Sequence, residues 1–479
     1  MRVGIPRIPL KPACWWPLCN RIDILMTKPS ITSALVDKIL ALDYAALPPE
    51  AIDMAKAVTL DGLAVMIAGA NEPLGVGRIS IEYVREMGGA PQASVITGGF
   101  KTSMPNAAYA NGTMAHALDF DNTWYPLNHP TSPTLPAILA IAEHHKSPGR
   151  KIIEAIAAAF EVQGRLRIAA TGLKTGQGFH KPGTTGQFGA VTAAAKMLDL
   201  DKQQTLMAFG LAGSRAGSIS INTGTMTKSS HSGHAARNGV ECGLLAKMGW
   251  TASDDVFGPK GFFDTFFQGD AKPELLIEGF ASPLRMVKPG VGFKKHPSNY
   301  FTHRPIDAAL ALREEFSIAP AEIVRVEVIF PRFDYVNRPV PATGLDGKFS
   351  VQYATLVALL DGEITIDSFT NERRFAPDVE ALLPQVTLTV DDTIPSDFDQ
   401  MHTIVNVWLK DGQKLSKRVD KLSGWIGSPL TREQRLKKFF GCTRRTLDET
   451  KARRMLALVE ELDTLADVTE IMTIARCDR

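Results

Sequence analysis

Apolar residues recur at helical spacing over a long stretch, from residue 31 to about residue 273. A stripe formed by Leu35, Ile39 and Leu42 predicts one helix, and a second is predicted from Pro49 to the neighbourhood of Gly69. Further helical segments are rich in alanine: 106–117, 137–145, 152–170, 188–198, 203–212 and 235–248. Small residues at this density let helices pack closely, so this stretch predicts a helical domain.

The pattern changes after about residue 275, where alternating β-branched residues predict strands. The predicted strands are 322–330 (EIVRVEVIF), 385–390 (QVTLTV) and 403–409 (TIVNVWL). Asp411 and Gly412 predict a hairpin turn from the last of these into a further strand at 414–419. Two helices, at 305–315 and 353–360, are predicted to lie among these strands. Two amphipathic helices follow in the tail, at 432–440 and 446–465.

These patterns divide the chain into four parts. Residues 1–26 are proline-rich and lack a helical period, which predicts a disordered extension, or an over-long start with Met26 as the true first residue. Residues 27–275 are predicted to form the first part of a helical domain. Residues 276–422 predict an α+β domain, and residues 423–479 predict a helical tail that returns to the helical domain. The predicted fold class is mainly α with a smaller α+β domain.

Length and composition narrow the function classes. A chain of 479 residues favours two or three domains. The formal net charge is +2 and no long basic run occurs, which argues against a nucleic-acid or membrane-surface protein. No apolar stretch reaches the roughly 18 residues that a membrane span needs. The five cysteines are scattered, which argues against a disulfide framework and favours the reducing cytoplasm.

Four polar loops lie directly before predicted helices and carry His, Lys or Thr. They are 119–136 (DFDNTWYPLNHPTSPTLP), 179–186 (FHKPGTTG), 225–232 (TMTKSSHS) and 293–303 (FKKHPSNYFTH). A helix N-terminus presents unpaired N–H groups and a partial positive charge, and cationic side chains add to both. Ser, Thr and Asp also serve as ordinary helix caps, so a single loop would mean little. Four such loops together predict a site for a small polycarboxylate.

The histidines differ in their sequence context. His129 and His180 lie in loops beside Pro and Gly, and they are the candidate acid–base groups because imidazole titrates near neutral pH. His116 lies on an alanine-rich helix and is interpreted as a buried, hydrogen-bonded residue. His231 and His234 have a spacing that metal ligands use, but no carboxylate or Cys follows nearby, so no metal is predicted. No phosphate-binding loop or dinucleotide motif occurs, so no organic cofactor is predicted.

At these loops the sequence resembles the MmgE/PrpD family, which includes 2-methylcitrate dehydratase, cis-aconitate decarboxylase and iminodisuccinate epimerase. The resemblance rests on HALDFDNTWYPLNHPTSPTLPAILAIAE, EVQGRL, KPGTTGQFGAVTAAAKMLDLD, GTMTKSSHSGHAARNG, FKKHPSNYFTH and RPVPATGLDGKFSVQYA, and it runs from about residue 31 to residue 465. It implies a large all-helical domain plus an α/β lid domain, a homodimer, and an active site between the two domains. It also implies that neither a metal nor an organic cofactor is used.

The resemblance further implies which residues form the site. Asn122 stands where many members carry Asp, so the role of this position is left open. The matching positions lie on the same four loops and on the lid: Asp119, Thr123, His129, His180 and Tyr335 as catalytic residues, and Lys228 and Lys294 as carboxylate-binding lysines.

The segments EVQGRL, GFHKP and YVNRP favour the cis-aconitate decarboxylase branch over the enterobacterial type of 2-methylcitrate dehydratase, which has GHPSDN where this chain has NHPTSP. We therefore expect a cofactor-independent lyase that acts on a small di- or tricarboxylate. The two lysines would stabilise an enediolate or carbanion while His129 and His180 move protons. A dehydratase, an epimerase and a non-catalytic polycarboxylate-binding protein are the alternatives, and a metal-dependent hydrolase would contain zinc or iron.

Overall fold

The computed structural model describes residues 29–170, 178–268 and 271–477, so the predicted extension at residues 1–26 lies outside the described residues. Helices dominate the N-terminal part. Their bounds are α1 (Ile31–Ala41), α2 (Pro49–Gly69), α3 (Val76–Met87), α4 (Met104–Ala117), α5 (Thr131–His145), α6 (Gly149–Ala169), α7 (Thr185–Met197), α8 (Lys202–Arg215), α9 (Met226–Lys247) and α10 (Phe262–Phe267). No described helix is both long enough and apolar enough to cross a membrane.

Several helices begin earlier than the sequence pattern predicts. The α5 helix begins at Thr131 rather than residue 137, and α9 begins at Met226 rather than residue 233. Pro133 lies in the first turn of α5, where a proline costs no backbone hydrogen bond. In α9 the polar residues assigned to a loop form the first two turns instead. Lys228 and His231 therefore lie on one helix face, three residues apart.

Smaller corrections apply to four other segments. The α7 helix begins at Thr185, two residues before the prediction, and Pro305 is the third residue of its helix rather than the first. The sequence pattern did not predict α3, nor a short antiparallel hairpin formed by β1 (Ala93–Val95) and β2 (Phe100–Thr102). The hairpin strands have three residues each, too few to show an alternating pattern, whereas α3 has a clear helical period that the prediction from sequence overlooked.

The second part of the chain contains a four-stranded sheet with helices packed against it. The strands are β3 (Ile323–Phe330), β4 (Val386–Val390), β5 (Thr403–Leu409) and β6 (Lys414–Val419), and they lie in the order β4-β3-β5-β6. The β3–β4 pair is parallel and the other two pairs are antiparallel. The helices are α11 (His303–Phe316), α12 (Gly344–Gly347), α13 (Val351–Asp361), α14 (Asn371–Arg374) and α15 (Pro377–Leu382).

All four predicted strands are present to within one residue, because their alternating apolar positions face one buried cluster. Val326, Val328 and Val405 are fully or almost fully buried there against α11 and α13. Gly412 adopts a φ of 87° in the predicted hairpin turn, a backbone conformation that glycine reaches without strain. These elements confirm the predicted fold class, which is mainly α with a smaller α+β part.

The tail forms α16 (Arg432–Thr443), α17 (Glu449–Glu460) and α18 (Thr469–Arg476) rather than the two predicted helices. Phe439 and Met455 belong to the same buried cluster as the N-terminal helices. The Nζ of Lys438 on α16 lies 2.7 Å from Oδ1 of Asp61 on α2. The tail therefore contacts the helical part directly, while the predicted boundaries at residues 275 and 422 stay a prediction.

Two glycines let α4 and α9 cross at very short distance. An added Cβ on Gly112 would lie 2.9 Å from the Cα of Gly233, and one on Gly233 would lie 2.5 Å from the carbonyl oxygen of Tyr109. Real Cβ atoms do not approach backbone this closely, so neither position has room for a side chain. The close crossing brings the C-terminal end of α4, with His116, beside the first turns of α9.

We predict that Gly233→Ala destabilises the protein by about 1–3 kcal/mol, because the new methyl group overlaps backbone atoms of α4 that cannot move independently. Urea unfolding followed by circular dichroism measures the change.

The matched control is Gly441→Ala on α16, where an added Cβ meets nothing within 4 Å. We expect that substitution to stabilise the protein by about 0.5–1 kcal/mol, because alanine has the higher helix propensity. Equal effects of the two substitutions would contradict the inferred close crossing.

Candidate active site

The loop after α4 carries the first group of candidate residues and ends at Pro130, earlier than the predicted residue 136. Asp119 adopts a φ of 50°, which turns the chain sharply away from the helix end. Thr123 and Gly292 form a two-way backbone bridge, with N–O distances of 2.9 and 2.7 Å. This bridge holds the loop against the segment that carries Lys294.

A buried carboxylate with two lysines lies at the centre of the site. Oδ1 of Asp119 is 2.8 Å from Nζ of Lys228 and 3.1 Å from Nζ of Lys294. Burial alone would raise the pKa of this carboxyl group, but the two ammonium groups outweigh burial and hold its pKa well below the ordinary value. Asp119 is therefore ionised at neutral pH and is a weak base, and the catalytic role implied for it stays a prediction.

The two lysines differ in how many of their N–H groups already have a hydrogen-bond partner. Lys294 is 1% exposed, and its Nζ also donates to the carbonyl oxygens of Asp119 (2.7 Å) and Ser298 (3.0 Å), so protein acceptors occupy all three of its N–H bonds. Among the described residues, Nζ of Lys228 has only the Asp119 carboxylate as a hydrogen-bond partner, and it lies 5.2 Å from the ring centre of Phe349. Lys228 is thus the lysine that keeps N–H groups for a ligand.

Asp121 holds two histidines through one carboxylate. Its Oδ1 lies 2.9 Å from Nδ1 of His116, and its Oδ2 lies 3.0 Å from Nδ1 of His129. Burial would raise the pKa of Asp121, but the two imidazoles hold it well below the ordinary value. Burial lowers the pKa of His116 to about 3, so that ring is neutral at pH 7. The carboxylate therefore orients the His116 ring by a hydrogen bond, and the His129 ring lies close to the same carboxylate with its Nε2 3.8 Å from Oδ1 of Asp119.

His180 belongs to a second histidine pair. Its Nδ1 lies 3.0 Å from Nδ1 of His231, and its ring centre lies 5.3 Å from that of His116. Its backbone N–H donates to the carbonyl oxygen of Ser218 at 2.7 Å, which fixes the loop before α7. Burial lowers the pKa of His180 well below the ordinary value and lowers that of His231 to about 4. Both rings are therefore neutral at pH 7.

These groups surround a cavity of about 220 Å³. Each predicted site residue except Asp119 lines it, and Asp119 lies behind the lysines. Tyr335 reaches the cavity from the second part of the chain, and the hydroxyl of Thr123 is buried with no hydrogen-bond partner among the described residues. A larger cleft of about 930 Å³ runs between α16 and the segment at residues 362–366, but none of the clustered histidines lines it. A cavity of the smaller size suits a small ligand.

Four residues of the site were not predicted from the sequence. His116 is buried and hydrogen-bonded as expected, yet its ring lies in the middle of the site, 4.5 Å from that of His129. Asp121 lies two residues after Asp119 in the same polar loop, and this pair of acidic residues is a sequence signal that could have identified it as a site residue. His231 and Lys181 carried no local signal. Lys181 lines the cavity, and burial lowers its pKa to about 8.

Asn122, whose role the sequence left open, faces away from the cavity. Its Nδ2 donates to Oδ2 of Asp61 at 3.3 Å, and its Oδ1 accepts a hydrogen bond from Thr131 at 2.8 Å. Burial raises the pKa of Asp61, and Lys438 partly offsets this effect. Nζ of Lys438 also donates to the carbonyl oxygen of Phe120 at 2.7 Å. Asn122 is therefore part of a buried network that joins α2, α16 and the site loop.

One group of side chains in the site has the donor set of a metal centre. The ligand atoms of His116, Asp119, Asp121 and His129 lie within 4.8 Å of one another. Imidazole and carboxylate ligands suit several divalent transition metals. Two ammonium groups already contact Asp119, however, so a cation bound there would meet two like charges. The charges fit an anionic ligand better, and the expectation of a metal-free site stays a prediction.

Comparison with known families agrees with this arrangement. The MmgE/PrpD N-terminal domain matches residues 33–274, and the MmgE/PrpD C-terminal domain matches residues 296–464. The chain belongs to the MmgE/PrpD family. The resemblance read from the sequence motifs is thereby confirmed.

Several curated relatives share most of their length with this MmgE/PrpD protein. Human cis-aconitate decarboxylase is 30% identical over 460 residues, which cover 93% of this chain and 95% of the relative. Cis-aconitate decarboxylase of Aspergillus terreus is 26% identical over 90% of this chain and 93% of the relative. The 2-methylcitrate dehydratase of Salmonella typhimurium is 25% identical over 68% of this chain and 73% of the relative. This membership makes the protein a lyase of the MmgE/PrpD family.

The network behind the site loop of this MmgE/PrpD protein yields a test of Asn122. We predict that Asn122→Asp lowers the free energy of unfolding by about 1–3 kcal/mol, because a donor is lost and a second carboxylate appears beside Asp61. This loss of unfolding free energy is expected to grow as pH rises. Two neighbouring buried carboxylates repel each other, so their pKa values are raised in the folded state and their ionisation destabilises it. Urea unfolding at pH 5 and pH 8 measures the free energy of unfolding.

Asn122→Ala is the control, because it removes the same hydrogen bonds without adding a charge. Its effect is expected to vary less with pH than that of Asn122→Asp, because it removes only the hydrogen bond that lowers the pKa of Asp61 and adds no second carboxylate. A pH-independent effect of Asn122→Asp would show that its carboxylate and that of Asp61 do not interact.

Proposed function

We propose that the protein is a cis-aconitate decarboxylase-like lyase that acts on a small di- or tricarboxylate without a metal or organic cofactor. The observation that carries this proposal is the 220 Å³ cavity, in which Lys228 presents N–H groups beside His129 and His180. A small cationic cavity with imidazoles at its wall suits a polyanion that must lose or gain a proton. Five curated relatives are named as cis-aconitate decarboxylases or as a like protein, and they support the same substrate class.

The proposed step needs one proton and no oxidant. The carboxylate on the saturated arm of cis-aconitate leaves as carbon dioxide, and its bonding electron pair forms a new double bond to the central carbon. The old double bond opens, and its outer carbon takes up one proton to give itaconate. Positive charge beside the remaining carboxylates stabilises the electron-rich transition state. Lys228 supplies that charge directly, and Lys294 acts through Asp119, because its own donors are occupied.

The two histidines are given different parts in this proposal. His129 has its Nδ1 at the Asp121 carboxylate, so its Nε2 is the ring nitrogen available for proton transfer. His180 is neutral at pH 7, because burial lowers its pKa, and a neutral imidazole is a weak proton donor. We therefore assign the proton transfer to His129. Thr123 and Tyr335 are proposed to contact the substrate through their hydroxyl groups.

We predict that incubation with cis-aconitate yields itaconate and carbon dioxide, detected by proton NMR. His129→Ala is expected to lower turnover at least about 100-fold, because it removes the proton-transfer group. Lys228→Gln is expected to raise KM about 10- to 100-fold, because a charged hydrogen bond to a substrate carboxylate is lost.

The matched controls are His144→Ala and Lys437→Gln, which make the same changes at exposed positions outside the cavity. Both are expected to keep wild-type rates. Conversion of 2-methylcitrate to an alkene acid, with no itaconate from cis-aconitate, would assign the protein to the dehydratase branch. An epimerised product would assign an epimerase. A thermal shift with these acids and no turnover would indicate a binding protein instead.

We further propose that the protein is a homodimer and works in the cytoplasm. Three apolar residues at helical spacing on α3 are exposed, namely Ile79 (46%), Tyr83 (43%) and Met87 (58%). An apolar stripe of this kind is typical of a surface that another protein chain covers. The buried thiols of Cys242 and Cys442 are free cysteines, which suits a reducing compartment.

We predict that light scattering after gel filtration gives twice the chain mass of 52.0 kDa. Met87→Lys is expected to shift the protein towards the monomer, because a charge enters the apolar stripe on α3. Met248→Lys is the control, since Met248 is 80% exposed at the far end of α9. A monomeric wild type would contradict the dimer and would leave the proposed reaction untouched.

A further inference from the structure

His231 contacts the proposed site through another histidine and does not line the cavity. It lies in the second turn of α9, and its Nδ1 is 3.0 Å from Nδ1 of His180. His180 does line the cavity. Because Nδ1 of His180 is engaged by His231, Nε2 is the ring nitrogen of His180 that is left for a ligand.

A hydrogen bond between two Nδ1 atoms needs one hydrogen between them. Both rings are neutral at pH 7, because burial lowers the pKa of each, so each ring carries a single N–H. One ring must then donate from Nδ1 while the other accepts at Nδ1 and carries its hydrogen on Nε2. The tautomers of His180 and His231 are therefore opposite to each other, and fixing one of them fixes the other.

We propose that His231 is a positioning residue whose Nδ1–H donates to Nδ1 of His180, and that it thereby holds His180 with its hydrogen on Nε2, where it donates to a substrate carboxylate. This inference rests on the proposed function, since it takes the ligand to be a polycarboxylate.

The charge of that ligand shows which of the two possible directions of the hydrogen bond a ligand-binding site needs. If His180 donated to His231 instead, its Nε2 would face a carboxylate with a lone pair, and the two would repel each other. With the hydrogen on Nε2, His180 adds a neutral donor to the charge of Lys228 on the same cavity. A neutral imidazole that donates a hydrogen bond to a developing oxyanion is an established catalytic device.

The surroundings hold the pair in place. The ring of His116 packs 5.3 Å from that of His180, and Lys228 precedes His231 by one turn of α9. The close crossing at Gly112 and Gly233 sets the distance between these elements. His234, one turn further along α9, faces elsewhere, with its ring 5.0 Å from that of Tyr109. Of these two histidines, only His231 contacts His180.

The direct test is the tautomer of His180 in the ligand-free protein. Protein with ¹⁵N-labelled histidine is examined by two-bond ¹H–¹⁵N correlation NMR, and a His180→Gln spectrum assigns the signals. We expect the hydrogen on Nε2 of His180 and on Nδ1 of His231. The opposite pair of tautomers would overturn the proposal. This measurement needs no substrate, so it stands apart from the question of which acid is turned over.

The second test compares substitutions of His231. His231→Leu removes the donor, and we expect kcat to fall about 10- to 100-fold, with the His180 signals showing a mixture of tautomers. His231→Asn places an amide N–H near the position of Nδ1, and we expect it to recover most of the activity and the Nε2–H tautomer. His234→Leu is the matched control and is expected to leave both readouts unchanged.

A purely structural role for His231 would give a different result. In that case His231→Leu and His231→Asn would lose activity in parallel with their thermal stability, and His180 would keep a single tautomer in both. That outcome would overturn the proposal, as would full activity of His231→Leu. An absence of turnover in the wild type, with the expected tautomers present, would count against the proposed reaction alone.

Discussion

A single buried carboxylate, that of Asp119, organises the site. It contacts two ammonium groups, one on α9 and one on the segment before α11, and it lies at the end of α4. Burying an ion is costly unless opposite charges and hydrogen bonds compensate. Lys228 and Lys294 each direct one donor to that carboxylate, and the other two donors of Lys294 go to the backbone carbonyl oxygens of Asp119 and Ser298. Lys228 therefore keeps N–H groups beside the cavity for an anionic ligand.

Several contacts from distant parts of the chain hold this ion-pair group in position. Gly112 and Gly233 let α4 and α9 cross closely enough for Lys228 to reach Asp119. The Thr123–Gly292 bridge brings the segment with Lys294 to the same loop. Lys438, from the tail, binds the carbonyl oxygen of Phe120 from the opposite side. The helical part, the segment that contains Gly292 and the tail thus each contribute one constraint to a loop of a few residues.

The contacts in the site bear on the roles implied by family resemblance. The resemblance implied Asp119 as a catalytic residue and Lys294 as a carboxylate-binding lysine. In the structure Asp119 is an ionised carboxylate paired with both lysines, and Lys228 and His129 line the cavity with groups available to a ligand, so the roles implied for Asp119 and Lys294 stay predictions. Decarboxylation, dehydration and epimerisation all need a bound polyanion and a proton-transfer group, so the same set of side chains is compatible with each.

The sequence by itself determined most of the long helices, the four strands, the fold class, the family and six of the cavity-lining residues. Apolar periodicity reveals such elements because it depends on neighbours a few positions away. It placed the start of α9 seven residues late, because the first two turns are polar and face the site. It also took His116 for an ordinary core residue. Only the tertiary structure decided that His180 meets His231 across 51 residues, and that Lys228 meets Asp119 across 109. Hydrogen bonds and ion pairs over such separations depend on how helices cross, and no local pattern records that geometry.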